Sequence, residues 1–138
     1  MILLDSSFLI AYHNTRDVHH AEAARAMVHL VAGEWGQALL LEYVFLEVVT
    51  VLRARRGASV ATEVAEQLLN AHEVEFVPCS DFFLETLHTF RQEPAGLSFT
   101  DAAIVTVARR ERKGYVATLD SDFQNLAGIT AVPGRQPP

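Results

Sequence analysis

Short runs of strand length, dominated by apolar residues, alternate with longer stretches of helical periodicity, and few folds accept that alternation. The runs are Ile2–Leu4, Gln37–Leu41, Val74–Val77, Tyr115–Leu119 and Ile129–Val132. Runs of this kind suit strands buried on both faces. Between them the sequence reads as helix over Phe8–His13, Val18–Val31, Glu42–Arg56 and Ser59–His72. A further helix is capped at Ser80-Asp81 and runs through Gln92, and another spans Thr100–Lys113. Val18, Ala21, Ala24, Met27, Val28 and Val31 keep close to a helical period, as do Val60, Val64, Leu68 and Ala71. Asn14–Asp17 reads as a turn, Gly33 and Gly57 as helix stops, and Pro94-Ala95-Gly96 as a break. Asp122–Leu126 has the length of one helical turn. Strands alternating with helices in this way give an α/β domain with a mostly parallel sheet.

At 138 residues, half of them hydrophobic, the chain can bury a sizeable core and is not disordered. Residues 1–133 are expected to form one domain, with 134–138 as a frayed tail. There is no internal repeat, linker or low-complexity segment. The lone Cys79 cannot form an intrachain disulfide, which suits a reducing compartment. The start lacks a basic region ahead of its apolar run, and no apolar stretch is long enough to span a bilayer. The expectation is a cytoplasmic protein with no membrane association. A net charge of −6 argues against broad, non-specific nucleic-acid binding but leaves room for a local basic patch.

Against this background four acidic residues stand out. Asp5 interrupts the apolar run that opens the chain, and Glu47 sits within Val44–Val49. Asp101 precedes Ala102-Ala103-Ile104-Val105, and Asp120 closes Tyr115–Leu119. Carboxylates are rarely buried unless paired or bound to a metal, and no comparable set of apolar-embedded Lys or Arg is present. Asp5 and Asp120 fall just past strand ends, where open α/β sheets form their ligand sites. Glu47 and Asp101 lie early in helices that could point at the same crevice. Clustered carboxylates repel one another, and their hard oxygens suit Mg²⁺ or Mn²⁺. No His or Cys spacing suggests zinc. The chemistry favoured is phosphodiester hydrolysis by a metal-activated water.

Four motifs carry these residues: Leu-Leu-Asp-Ser-Ser-Phe-Leu-Ile at 3–10, Leu-Glu-Val-Val-Thr-Val-Leu-Arg at 46–53, Leu-Ser-Phe-Thr-Asp-Ala-Ala-Ile-Val at 97–105 and Val-Ala-Thr-Leu-Asp-Ser-Asp-Phe at 116–123. In this order and over about Met1 to Val132, the chain resembles the PIN domains, and more narrowly the VapC-type toxin ribonucleases of type II toxin–antitoxin systems. The resemblance implies a PIN-like three-layer α/β sandwich whose five-stranded parallel sheet has the order 3-2-1-4-5. It implies a Mg²⁺- or Mn²⁺-dependent endoribonuclease, a homodimer, an RNA substrate and inhibition by a cognate antitoxin protein. Carried over by position, Asp5, Glu47, Asp101 and Asp120 form the acidic quartet that is both catalytic and metal-binding. Asp122 is a fifth candidate, with Ser6, Thr100 and Thr118 in support.

Alternative assignments exist for several residues. Glu42, at a strand–helix junction, competes with Glu47 but is explained as a dipole partner. Asp101 could serve a helix N-terminus with Thr100 as cap, and Asp122 could cap a turn. Arg53, Arg55 and Arg56, like Arg109, Arg110, Arg112 and Lys113, end helices and compensate their dipoles; the sharper reading is phosphate contact. His13, His19 and His20 read as turn and capping residues, and Trp35 and Phe123 as packing residues rather than base stackers. Rival functions are a non-catalytic partner-binding module, a Toprim-like phosphotransfer domain and a phospho-accepting receiver domain. Toprim domains need a Glu where Asp5 stands. A receiver needs an Asp after the third strand, where the sequence runs Val77-Pro78-Cys79, and a Lys near the fifth, where none occurs.

Overall fold

The computed structural model describes residues 1–93 and 96–134. Five parallel strands lie in the order β3-β2-β1-β4-β5, as the resemblance implied: β1 Ile2–Leu4, β2 Ala38–Leu41, β3 Val74–Val77, β4 Gly114–Ala117 and β5 Ile129–Val132. Six helices connect them: α1 Ser6–His13, α2 His20–Val31, α3 Glu42–Arg56, α4 Ala58–Asn70, α5 Phe83–Gln92 and α6 Phe99–Ala108. The central strands β1 and β2 are buried throughout, which is why both are uninterrupted Ile and Leu with a single Ala. The edge strand β3 tolerates exposed Glu75 and Phe76.

Right-handed crossovers decide where the helices go. The chain steps from β1 to β2 to β3 in one direction, then returns past β1 to β4. That reversal puts α1–α4 on one face and α5 and α6 on the other. In agreement, α1 packs on α2 and α3, α3 on α4, and α5 on α6. Strands β1 and β4 are neighbours from which the connections diverge, so a crevice opens beyond their C-terminal ends. Phe8, Leu40, Leu41, Leu52, Ile104 and Phe123 are among the fully buried side chains of the core.

Local departures from the expected element ends have local causes. The second helix starts at His20 rather than Val18 because Asn14 and Asp17 capture the turn: Arg16 N–H donates to Asn14 Oδ1 and His19 N–H to Asp17 Oδ1. Val18 is left exposed. The helix expected to reach Lys113 ends at Ala108, and β4 begins earlier, at Gly114. Glycine is required there because a Cβ would stand 2.6 Å from Gly128 O and 2.9 Å from Ala108 O. Strand β4 ends at Ala117, since the Leu119 N–H leaves the sheet to bond Ser7 Oγ. The cap of α6 is Ser98, not Thr100. The stop at Gly57 has φ of +91°, a conformation that favours glycine and lets α4 follow α3 at once. Pro94 and Ala95 of the expected break, and most of the expected tail (135–138), lie outside the described residues.

Candidate active site

Asp5 follows directly on β1 and stands at the N-cap of α1. Its N–H bonds Ala117 O at 3.0 Å, continuing the β1–β4 pairing, and its carbonyl accepts the Leu9 N–H that opens α1. Its residue exposure is only 2%. Two hydroxyls converge on its Oδ2, from Ser7 and Thr118, each at 2.7 Å. Both hydroxyl groups are themselves held: Ser7 Oγ accepts the Leu119 N–H at 2.9 Å, and Thr118 Oγ1 accepts the Asp120 N–H at 3.0 Å. One network therefore ties the end of β1 to the end of β4. Burial pushes the Asp5 carboxyl above its ordinary 3.8; the hydroxyls and the Ser6 N–H pull it back, and the Glu47 charge pushes it further up.

Asp101 occupies the third position of α6 in a reciprocal capping box: its N–H donates to Ser98 Oγ at 3.0 Å while its Oδ2 accepts the Ser98 N–H at 3.0 Å. Its carboxyl is raised first by burial, against the hydrogen bonds from Ser98, and then by the charges of Asp5 and Asp120. Asp120 follows β4 and accepts the Asp122 N–H at 2.9 Å, so it caps the 3₁₀ turn Ser121–Phe123. Asp122 itself is exposed. Glu47 is exposed on the second turn of α3. A crevice of about 360 Å³ is lined by Ser6, Ser7, Asp17, His19, Glu47, Arg55 and Asp120 among others. An adjoining cavity of about 510 Å³ shares Glu47 and Val51 and is walled by Tyr43, Phe99 and Thr100.

The acidic quartet thus shares one electrostatic neighbourhood without closing on a point. Among the described residues no three His, Cys, Asp or Glu side chains are grouped tightly enough to hold a metal ion between them. An all-oxygen donor set fits a hard cation, and Mg²⁺ keeps several waters and needs only one or two carboxylates. Asp5 suits that part: both hydroxyls take Oδ2, leaving Oδ1 without a hydroxyl donor among the described residues.

Other candidates fall elsewhere. Glu42 Oε1 accepts the Cys79 N–H at 3.1 Å and so ties α3 to the end of β3. Phe123 is fully buried and presents no free face for stacking, while Trp35 is half-buried beside His29 and lines neither the crevice nor the adjoining cavity. His13 is half-buried with its imidazole pushed down by desolvation, and His20 Nδ1 meets Ala11 O at 2.9 Å. Cys79 is buried and its thiol is pushed up by burial, which leaves it a poor nucleophile. Sequence reasoning missed Ser7. Its only signal was a second hydroxyl two residues after the strand-end Asp, where Ser6 had seemed the supporting residue; Ser6 lines the crevice instead.

A family model for the PIN domain matches residues 2–129. A VapC ribonuclease of Archaeoglobus fulgidus is 26% identical over 124 residues, covering 88% of this chain and 78% of the relative. Among solved structures, the Mycobacterium tuberculosis toxin VapC20, described as cleaving the sarcin–ricin loop, superposes with a TM-score of 0.77 at 23% identity. That match covers 94% of this chain and 98% of the other.

Proposed function

The chain belongs to the PIN-domain family, and from that premise we propose that it is a divalent-metal-dependent endoribonuclease, the toxin of a toxin–antitoxin pair. The observation that carries the metal site is unrelieved like charge. Asp101 feels Asp5 and Asp120, Asp5 feels Glu47, and none of the four joins an ion pair among the described residues. Asp5, Glu47, Asp101 and Asp120 would hold Mg²⁺ or Mn²⁺, with Asp122 as a fifth candidate. A cation bound there lowers the pKa of a water and offsets phosphate charge.

The chain's own residues supply the frame. Ser7 and Thr118 fix the orientation of the Asp5 carboxylate, and the Ser98 box fixes Asp101. No Ser, Cys or His nucleophile is needed. The relatives named as ribonuclease and toxin support an RNA substrate and a cognate antitoxin. A homodimer is supported by large apolar side chains left exposed on α3 and α5. Phe99 packs on Tyr43, Phe83 and Phe90, and Leu46 on α3 and Phe83, Leu84 and Phe90 on α5 are exposed. A cytoplasmic setting is consistent with the free Cys79. Among the described residues no helix is long and apolar enough to cross a membrane.

The test is cleavage of structured and unstructured RNAs with Mn²⁺ or Mg²⁺ against EDTA. Cutting should require the metal and vanish in Asp5→Asn, which keeps the hydroxyl contacts through its amide oxygen. Wild-type turnover by that variant would sink the assignment.

A further inference from the structure

The basic residues that end the helices look alike in sequence, yet the fold gives them different neighbours. Arg109 pairs with Glu93 and donates to Ala127 O. Arg110 pairs with Glu85 and lies over the Phe82 ring, 5.3 Å from its centroid. Arg56 donates to Asn14 Oδ1 at 2.7 Å, bracing the turn before α2. Arg55 stands apart. It is exposed, makes no ion pair among the described residues, and lines the acidic crevice with Ser6, Glu47 and Asp120.

Compensation of the α3 dipole does not account for that placement, because Arg53 and Arg56 share the same last turn. Glu47, Val51 and Arg55 recur at intervals of four and form one stripe of α3 facing the crevice. Eight residues of helix advance about 12 Å, so Arg55 stands beside the acidic centre and not within it. His19 lines the same crevice and also an adjoining polar pocket with Ser121 and Gln124.

We propose that Arg55 anchors an RNA phosphate next to the one that is cut. The inference rests on the nuclease reading above and adds the residue that draws a polyanion to an acidic crevice. A strand entering this crevice meets the carboxylates of Asp17, Glu47 and Asp120, and in a chain of net charge −6 overall attraction is absent. A single unpaired guanidinium on the crevice wall supplies a local one, and its planar fork matches two phosphate oxygens. The competing role is that of a counter-ion for the carboxylates, which acts on metal affinity and leaves RNA contacts alone.

The experiment measures binding of a short fluorescent single-stranded oligoribonucleotide by anisotropy over a range of salt, in an Asp5→Asn background that leaves it uncut. Arg55→Ala should weaken binding about tenfold. It should also flatten the dependence of log K on log salt by about 0.7, the share of one phosphate on a single strand. Arg55→Lys should keep most of the slope, and Arg53→Ala, on the same turn but outside the crevice, should change neither quantity. In the cleaving enzyme Arg55→Ala should raise KM and leave kcat nearly unchanged. Thermal melts of these exposed-site variants check that each is folded. Unchanged affinity, slope and KM in Arg55→Ala, beside a wild type that cuts RNA, overturns the anchor and leaves the nuclease standing. A wild type that neither binds nor cuts RNA removes both.

Discussion

Asp5 carries most of the local tension. Its carboxylate is nearly buried, accepts two hydroxyls on one oxygen and faces the charge of Glu47. Because its folded pKa is raised above 3.8, the folded protein binds this proton more tightly than the unfolded chain does. The resulting penalty is absent below 3.8, grows as pH rises through the folded pKa, and is present in full above it. Asp101 adds a penalty of the same sign. In EDTA, Asp5→Asn should therefore melt higher than wild type at neutral pH, and the gap should close as the pH falls towards 3.8. Mn²⁺ should raise the melting temperature of wild type by mass action but leave the variant little changed. Scanning calorimetry at several pH values reads both. A variant less stable than wild type in EDTA at neutral pH would contradict the desolvation account.

The end of an element often does more to position the site than its middle. Helix α6 begins with a capping box in which Ser98 and Asp101 satisfy each other's N–H groups. Ser98→Ala removes the hydroxyl half and leaves the backbone N–H that holds the Asp101 carboxylate. The expected loss is about 1 kcal/mol. That is about 4 °C in melting temperature for a domain of this size, with cleavage largely retained. Asp101→Asn should show the reverse, with little loss of stability and loss of cleavage. Comparing melts and turnover for the pair separates the cap from the charge.

At the scale of the whole molecule, the proposed homodimer would use the apolar side chains exposed on α3 and α5. Leu84 is 76% exposed on α5, so a charge there removes little from the monomer core. Leu84→Glu should convert a homodimer to a monomer in analytical ultracentrifugation, with the melting transition nearly unchanged at concentrations that already favour the monomer. Wild-type protein sedimenting as a monomer at micromolar concentration would remove the dimer from the proposal. The aromatic-walled cavity beside Glu47 borders this surface through Leu46 and Phe99. Dimerisation would therefore also help enclose that end of the crevice.

The α/β class, the five strands in near-correct bounds and the position of Asp5 just past β1 were legible in the sequence. These follow from local pattern: short apolar runs, helical periods, and acids placed where burial is costly. The 3-2-1-4-5 order was legible only through the four motifs together, since a strand's own residues do not name its neighbour. Tertiary structure was needed to show that the Ser7 hydroxyl and not that of Ser6 reaches Asp5 and that Thr118 joins it from 113 residues away, whereas the Ser98 cap, three residues from Asp101, is local. The tertiary structure also separated Arg55 from Arg53 and Arg56, which are indistinguishable on a helix end until the crevice gives them different surroundings. Thr118 is remote in sequence from Asp5, and the choices at Ser7 and Arg55 turn on which side of a helix faces the site. Neither is encoded in a residue's immediate neighbours.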